Sequence, residues 1–314
     1  MPARKLLAYA AIYILWGGSF LGIRELVAPP HGIASVPPFF AAGFRFTLAG
    51  LILLVWSRIS QPTPLAPRQF LSAALLGFIM FACLYAPLFW AETRVASGLA
   101  SVISAMIPVW IFAGELFVLR TQRATTLAVS GIALGFAGVV VLSLRGPGSA
   151  GSSSTLAILA LVAGTVFWSG GTLLSRRLTL PQPQRANAGW QMLTGGPMLL
   201  TISGLDGEPH RMPPLAVLLS ARSVVSMAYL VIAASIIAYT AYVWLIAHES
   251  PTRVSSYAYV NPLIALAIGA ILAGERLTLL QIAGAVLVLA GVFATLLGRG
   301  AAQPARSVPV KVTN

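Results

Sequence analysis

The chain has 314 residues, of which 58% are hydrophobic and only 9% are charged, whereas a soluble domain carries about 25% charged residues. This composition excludes a water-soluble globular fold. The net charge of +13 comes from 20 Lys and Arg that stand singly between apolar runs, which argues against a nucleic-acid partner and favours topology signals. The single cysteine, Cys83, excludes a disulfide framework or a thiolate metal cluster within one chain.

Apolar stretches bounded by charges or by Pro and Gly follow one another along the chain, and about 20 such residues cross a bilayer. Arg4 and Lys5 before the first stretch resemble the start of a signal peptide, but no small-residue cleavage site follows, so we expect a retained helix. The predicted fold class is an all-α integral membrane protein of ten transmembrane helices. We predict them at 6–23, 37–57, 69–91, 95–119, 124–144, 155–175, 187–203, 223–247, 252–273 and 278–298.

A polar segment rich in Gly and Ser divides the chain near its midpoint and is typical of a flexible connector. We therefore predict a first five-helix unit at 1–145, the connector at 146–154, a second five-helix unit at 155–298 and a tail at 299–314.

The distribution of Lys and Arg between the predicted loops indicates the orientation. With the N-terminus in the cytoplasm, thirteen of the 20 lie on the inside and six on the outside, while Arg45 lies within a span. Because cytoplasmic loops carry the excess of positive charge, we expect a multi-pass protein of the cell inner membrane with both termini and the tail in the cytoplasm.

The two units align with each other. Each contains five spans, and an odd number places the second copy upside down relative to the first, which is the inverted repeat of many secondary transporters. The substrate site of such proteins lies near the midplane between the halves. The matched landmarks are Trp16-Gly17-Gly18-Ser19 with Trp168-Ser169-Gly170-Gly171, Arg24 with Arg176, Tyr85 with Tyr239, and Pro108 with Pro262.

Several of these residues resemble a known family. The Trp16-Gly17-Gly18-Ser19 entry, Arg45-Phe46, the two prolines and Gly274-Glu275-Arg276-Leu277-Thr278 before a Gly-rich last helix are similar to the EamA-type drug/metabolite transporters. The resemblance covers nearly the whole chain. It implies ten helices, both termini inside, and export of small metabolites such as amino acids, including aromatic ones, or of drug-like compounds. Gln122 stands where the second half has Glu275, so the glutamate occurs in one copy only.

Arg45 lies near the centre of the second span, where an arginine costs about 2.5–3.5 kcal/mol on insertion scales. It must therefore face a partner, a cluster of carbonyls or a water-filled cavity. Two interpretations remain open at this point. Arg45 could bind a substrate carboxylate, or it could tie two helices together.

Glu115 lies seven residues after Pro108 in the fourth span and is the candidate for carrying a coupling proton. Its alternative is a carboxylate that reaches the interface or pairs with a nearby arginine. Pro108 and Pro262 free backbone carbonyls at matching points of the fourth and ninth helices. Each is either a moving hinge or a static kink.

Aromatic and small polar side chains supply the candidate substrate contacts. Rings suit amphipathic or aromatic substrates, although an interfacial aromatic belt also explains many of them. Hydroxyl and amide groups could bind the amino and carboxylate groups of a substrate or join helices. The aromatic candidates are Trp16, Trp90, Trp168, Trp190, Trp244, Tyr85, Tyr239, Tyr257 and Tyr259, and the polar ones are Ser19, Ser101, Ser104, Thr172, Gln191 and Asn261.

The sequence lacks the residues that other classes of function would require. Neither Lys5 nor Lys311 lies in a phosphate-binding loop, which argues against an ATP-driven pump. One aspartate and three scattered histidines argue against an enzyme and against a metal or cofactor site. We predict a secondary transporter that exports amino acids by alternating access. Exporters of drug-like or nucleotide- and sugar-type metabolites and a passive channel remain alternatives. The expected partners are a small-molecule substrate and the lipid bilayer; the Gly131 and Gly135 face leaves a homodimer open.

Overall fold

The computed structural model describes residues 3–29, 34–119, 125–143, 155–272, 274 and 278–298. Within these ranges the chain is helical and forms no strand, which confirms the predicted all-α fold class. The connector and the tail lie outside the described residues. The helices are α1 (Ala3–Val27), α2 (Pro38–Ser60), α3 (Pro67–Glu92), α4 (Ser97–Val118), α5 (Thr126–Ser143), α6 (Thr155–Ser175), α7 (Gln184–Leu205), α8 (Ala221–His248), α9 (Tyr257–Leu272, after a turn at Pro251–Val254) and α10 (Leu279–Leu297).

The outer surface of this bundle is apolar. Large hydrophobic side chains such as Ile14, Trp56 and Leu279 are exposed on many helices, which suits contact with lipid and not with water. By length and composition α1–α4, α6 and α8 can each cross a membrane, and α5, α9 and α10 contain shorter apolar stretches. The chain is therefore membrane-embedded.

α7 is the most polar of the long helices. A membrane protein tolerates this polarity because the polar side chains of α7 point into the bundle. Asn187 and Gln191 are 4% and 2% exposed, and Gln191 Nε2 donates to Asn187 Oδ1 at 2.6 Å. In a bilayer such groups must be satisfied inside the protein. The polar residues of α7 thus form a face that packs into the interior of the bundle.

The packing of the helices follows a regular scheme. α2 packs along α7 and α5 along α10, while α1 contacts α8 and α9, and α6 contacts α3 and α4. If each helix is exchanged for its counterpart five places away, the contacts of α1 with α8 and α9 become those of α6 with α3 and α4. The pairs α2–α7 and α5–α10 are then unchanged. The scheme is what two copies of one five-helix unit would produce around a pseudo-two-fold axis.

The glycines of α5 face α10 within the same chain. A Cβ on Gly131 would lie 2.7 Å from the Gly291 carbonyl oxygen and 2.6 Å from Thr295 Oγ1, which is closer than real Cβ atoms approach. This face is covered by α10, so it does not offer a surface to a second copy.

Gly131→Ala is expected to destabilise the protein by about 1–3 kcal/mol, because the added methyl group forces the α5 and α10 backbones apart. Gly135→Ala is the matched control: its Cβ would meet only the flexible Met106 side chain, at 3.3 Å from Sδ, and alanine is the better helix former. Thermal unfolding of the purified variants in detergent compares them. Equal stability of the two variants would contradict this account of the helix contact.

The start of α2 is capped by a residue from a distant loop. Pro37 at the N-cap provides no side-chain acceptor, but the Glu208 carboxylate accepts from the Phe39 amide at 3.0 Å and the Phe40 amide at 2.7 Å. Glu208 is only 1% exposed. A carboxylate satisfies the orphan amides of a helix N-terminus and interacts favourably with its dipole.

Glu208→Ala is expected to lower the free energy of unfolding by about 1–2 kcal/mol, the cost of losing a helix cap. Glu208→Gln should lose less, because the amide oxygen still accepts one of the two bonds. Asp206→Ala is the control, since Asp206 is exposed and pairs only with the exposed Arg211, and surface pairs contribute little. Thermal unfolding in detergent ranks the three variants; an Asp206 loss as large as that of Glu208 would rule out the capping role.

Candidate functional site

A central cavity of about 50 Å³ lies where α1, α3, α4, α6 and α9 meet. Its wall includes many of the substrate contacts expected from the sequence, which the fold brings together from five helices. These are Trp16, Ser19, Tyr85, Ser101, Ser104, Trp168, Tyr257 and Asn261, accompanied by apolar residues such as Phe20, Leu84, Leu88 and Ile107.

Aromatic rings meet edge to face around this cavity. The Trp16 ring lies 5.7 Å from that of Trp168 and 4.9 Å from that of Tyr257, and the Tyr85 ring lies 6.3 Å from Trp168. Such contacts hold large rings in defined positions. The cavity therefore has a preformed aromatic wall that includes Trp16 and Trp168, which the sequence alignment of the two halves matched.

The polar groups of the cavity differ in how far they are satisfied. Ser19 Oγ donates to the Trp16 carbonyl and Ser104 Oγ to the Ala100 carbonyl. Ser101 Oγ is buried and has no hydrogen-bond partner among the described residues. Trp168 Nε1 is also buried; it forms no hydrogen bond of normal geometry there, but it has the hydroxyls of Tyr242 and Tyr257 as polar neighbours. A buried polar group without a partner is costly, so Ser101 Oγ is suited to bind a ligand. Trp168 Nε1 is suited to bind one in exchange for its imperfect contacts with the two tyrosines.

Asn261 holds α9 against α1. In the amide orientation that satisfies both groups, its nitrogen donates to the Tyr13 carbonyl at 2.9 Å and the Tyr257 carbonyl at 3.1 Å. Close approach of α1 also depends on its Gly-Gly pair, since a Cβ on Gly17 would lie 2.7 Å from Ile264 Cβ. The Trp-Gly-Gly-Ser motif thus combines a cavity wall with a tight helix contact.

Arg45 is fully buried, at 1% exposure, but lies behind the wall and not on it. Its Nε donates to Ser235 Oγ of α8 at 2.8 Å, and its guanidinium carbon lies 4.6 Å from the Phe46 ring centre and 5.4 Å from that of Tyr85. One terminal nitrogen has no partner within the described chain. In this conformation Arg45 ties α2 to α8 and contacts the cavity only through Tyr85.

Gln191 and Tyr239 lie on a second and larger cavity of about 230 Å³, which we call the vestibule. The Tyr239 hydroxyl donates to Gln191 Oε1 at 2.5 Å. α3, α6, α7 and α8 contribute the lining, which comprises Met80, Ser175, Arg176, Leu180, Gln182, Gln184, Asn187, Gln191, Tyr239, Tyr242, Val243, Ile246 and Ala247.

Tyr242 separates the two cavities and was not predicted from the sequence. Its ring lies 5.2 Å from Trp16, 5.3 Å from Trp168 and 6.3 Å from Tyr257, and its hydroxyl lies 2.6 Å from Thr172 Oγ1. Only its place three residues after Tyr239, one helical turn along α8, could have indicated a shared face.

The remaining aromatic candidates lie elsewhere. Trp90 stacks under Arg94 at the end of α3, Trp190 meets Phe70 on α3, and Trp244 stacks on His248 with Arg4 above it. The Tyr259 side chain lies outside the described residues. These positions near helix ends suit the interfacial belt that was the alternative to a cavity wall.

Three helices of the site contain π-helical stretches. They span Gly77–Ala82 in α3, Gly114–Val118 in α4 and Tyr229–Tyr239 in α8, and π-helical turns occur often at functional sites. The stretch in α8 brings the Ala234 carbonyl to Trp16 Nε1, at 2.9 Å. α3 and α8 are five places apart in the chain, and the π-helical stretch of each contributes a residue, Met80 and Tyr239, to the second cavity described above.

The candidates for coupling and hinging lie in α4 and α9. Glu115 is 8% exposed and falls within the π-helical stretch of α4. Pro108 opens the second part of α4, directly after a break at residues 105–106. Pro262 lies inside the continuous helix Tyr257–Leu272, and the break in that segment falls earlier, at residues 255–256. The two prolines therefore do not occupy equivalent positions relative to the breaks.

Charged residues close one end of the bundle. Lys5 Nζ lies 2.5 Å from Glu249 Oε1, and Arg253 lies 3.3 Å from the other oxygen. The hydrogen bond from Lys5 lowers the pKa of Glu249 below its usual value, with a smaller contribution from Arg253. A lowered pKa means that this link between α1 and the turn before α9 persists at neutral pH and is lost only as the pH falls through that lowered pKa.

In the described part of the chain no three His, Cys, Asp or Glu side chains are placed to hold a metal ion. Most of the Gly274-Glu275-Arg276-Leu277-Thr278 motif, namely Glu275, Arg276 and Leu277, and its counterpart Gln122, lie outside the described residues.

The chain is similar to known membrane transporters in sequence and to a solved structure in fold. The EamA-like transporter family matches residues 5–144 and 155–297. The chain is 36% identical to the "Uncharacterized inner membrane transporter YedA" of Escherichia coli (strain K12), over 92% of this chain and 90% of that protein. It is 28% identical to a "Probable amino-acid metabolite efflux pump" of Salmonella typhimurium, over 94% and 95%. One crystal structure superposes with a TM-score of 0.64 at 20% identity, covering 94% of this chain and 98% of that one, which establishes the fold alone.

Proposed function

Because the chain belongs to the EamA-like transporter family of membrane proteins, we propose that it exports neutral and aromatic amino acids, or closely related amphipathic metabolites, by alternating access. The observation that carries the proposal is the central cavity, where aromatic walls surround two polar groups: Ser101 Oγ, which has no hydrogen-bond partner among the described residues, and Trp168 Nε1, which has only imperfect contacts with the Tyr242 and Tyr257 hydroxyls. A ring in the substrate would pack on the walls, and its polar end would meet the two groups.

The substrate class is supported from two sides. Relatives in Salmonella typhimurium and Escherichia coli are named probable amino-acid metabolite efflux pumps. The residues that line the central cavity include no charged side chain, which suits a substrate with no net charge. The ammonium group of an amino acid would gain from the faces of Trp16 and Tyr257, while its carboxylate would accept from Trp168 Nε1.

Alternating access explains why the cavity is small in this conformation. A volume of about 50 Å³ has room for a few waters, each of which needs about 10–15 Å³ of such space, but not for an amino acid. An amino acid therefore requires the five surrounding helices to move apart. The exchange symmetry of the helix contacts offers a way, since two copies of one unit can trade conformations and open the site to either side. The excess of Lys and Arg in the loops supports a cytoplasmic position for both termini.

Glu115 is our candidate for the coupling proton, because it is a buried carboxylate in an irregular stretch of α4 beside the cavity helices. Glu115→Gln is expected to abolish the stimulation of transport by a pH gradient while substrate exchange at equal pH continues. Glu25→Gln, a carboxylate paired with Arg222 and away from the cavity lining, serves as the control. If Glu115→Gln responds to a pH gradient as wild type does, another group carries the coupling.

Uptake into proteoliposomes tests the function itself. Purified protein is reconstituted and offered a panel of labelled amino acids with and without an imposed pH gradient, with Trp168→Phe as the site variant. Saturable uptake of an aromatic or neutral amino acid, weakened in the variant, would support the proposal. Saturable uptake of only drug-like or sugar-type compounds would overturn the substrate class, and non-saturable flux would overturn alternating access in favour of a channel.

A further inference from the structure

The vestibule contains one guanidinium and no carboxylate among the residues that line it. It lies at the end of the bundle that carries Lys5, because Arg176 NH1 donates to the Glu249 carbonyl at 2.9 Å and the Glu249 carboxylate pairs with Lys5. With about 230 Å³ it is roomy enough for several waters or a small organic molecule. Its positive charge sets it apart from the central cavity.

Arg176 has unused binding capacity. The carboxylate of Glu249 is occupied by Lys5 and Arg253, and Arg176 forms no ion pair within the described residues. It uses one terminal nitrogen on a carbonyl, which also fixes the position of the guanidinium. Since a guanidinium presents five N–H donors in a planar fork that matches a carboxylate, most of its donors remain for a ligand.

A line of amides leads from Arg176 into the bundle. Gln191 Nε2 donates to Asn187 Oδ1, and Tyr239 donates to Gln191 Oε1. Both acceptor oxygens are thereby used within the protein. The amide nitrogen of Asn187 donates to no residue in the described chain, so the line offers a donor, and donors are what a carboxylate requires.

The inner wall of the vestibule is the layer that closes the central cavity. Tyr242 lines the vestibule, while its ring contacts Trp16 at 5.2 Å and Trp168 at 5.3 Å, both on the wall of the central cavity. The hydroxyl of Tyr242 is held by Thr172 at 2.6 Å. A ligand in the vestibule is therefore separated from the central cavity by one tyrosine ring.

We propose that the vestibule is a second binding site that captures the carboxylate of a small organic acid or amino acid on Arg176 and Asn187 before the molecule passes Tyr242. The site rests on the proposed function in one respect, namely that the captured ligand is the transported one. Its affinity for a carboxylate does not depend on transport. Arg176 acts here as a specificity determinant, because it favours anionic groups at the entrance to a cavity that has no charged wall.

Binding of sodium benzoate and of benzamide to the full-length protein in detergent, measured by thermal-shift titration, tests the site. The two probes share a ring and differ in the carboxylate. Arg176→Gln is expected to weaken the apparent affinity for benzoate about tenfold while that for benzamide changes less than about twofold, which is the effect of one charge-assisted interaction. Arg176→Lys should lie between, since it keeps the charge but loses the fork.

Arg177→Gln is the matched control, because it removes the same charge from the neighbouring exposed residue, which is not part of the vestibule lining. Equal loss in both variants would reduce the effect to general electrostatics and overturn the site. Stabilisation by short-chain phosphatidylglycerol that depends on Arg176 and competes with benzoate would assign the vestibule to lipid head groups instead.

Proteoliposome uptake with the same preparation separates this site from the proposed function. If amino acids are transported but benzoate does not bind, the vestibule site is wrong and the function stands. If benzoate binds through Arg176 and no amino acid is transported, the site stands and the function is wrong.

Discussion

Replacing Arg45 with alanine is expected to destabilise the folded protein by about 3–5 kcal/mol. The change removes a charge-assisted hydrogen bond to Ser235 at 2.8 Å and two contacts with the rings of Phe46 and Tyr85. It also leaves a cavity at a position that is 1% exposed. Thermal unfolding in detergent and the monodisperse yield measure the loss.

Arg45→Met separates stability from function. Methionine fills a similar volume without a buried charge, and such replacements are often neutral or stabilising. This variant should therefore fold, while Tyr85 and the π-helical stretch of α8 lose the group that positions them, so that transport falls about tenfold. Arg58→Ala, an exposed arginine on the same helix, is the control and should change neither property. An Arg45→Ala protein as stable as wild type would show that Arg45 is not a tie between α2 and α8.

Arg45 also shows which properties of a residue can be predicted from the sequence and which cannot. A charge in the middle of an apolar span must have a polar environment, so its importance could be predicted from composition and position alone. Its partner could not, because Ser235 lies 190 residues away and one serine among many apolar residues gives no signal. The sequence also left open whether Arg45 binds a substrate or ties two helices together, because it does not show whether the guanidinium lies on the cavity side of Tyr85 or behind it.

The helices could be predicted from the sequence, whereas the π-helical stretches within them could not. Apolar length and polar boundaries predict helices well in a bilayer, because every backbone group must be satisfied within its own segment, and the predicted span 155–175 coincides with α6 at Thr155–Ser175. The π-helical stretches could not be predicted, since their hydrogen-bond register is set by tertiary packing. Glu208 was missed for a related reason: an acid in a loop is usually solvated, and only the fold brings it to the start of α2.

The residues that line the cavities could be predicted in part. Trp16 and Trp168 could be proposed because they lie at matching positions of the two predicted units, and Tyr85 and Tyr257 because they are aromatic residues within predicted spans. The structure does gather these four rings around one cavity. Gln191 and Tyr239 were proposed for the same site but line the vestibule. The sequence could not assign residues between two cavities that share a wall, because one ring, that of Tyr242, decides which side a neighbour faces.

Trp168→Ala is expected to reduce transport about 100-fold, since aromatic anchors dominate binding in enclosed sites. The Trp168 ring contacts Trp16, Tyr85, Tyr239 and Tyr242 at centroid distances of 5.3–6.3 Å, so its loss opens the wall between both cavities. Initial rates of uptake, normalised to reconstituted protein, measure the effect. Trp56→Ala, an exposed tryptophan on the outer surface of α2, should transport normally.

Trp168→Phe refines this prediction, because it keeps one aromatic ring while it removes the Nε1 donor together with the second ring of the indole. If that nitrogen binds the substrate carboxylate, the variant should raise KM about tenfold for an aromatic amino acid, the value of one hydrogen bond to a charged group, and leave kcat within about twofold. The apparent affinity for the corresponding amine without a carboxylate should change much less, since the amine loses only ring contacts. An equal rise for the acid and the amine would instead assign Trp168 to the wall alone, and the carboxylate would then have to be bound at Ser101 or at Arg176 outside the closed layer.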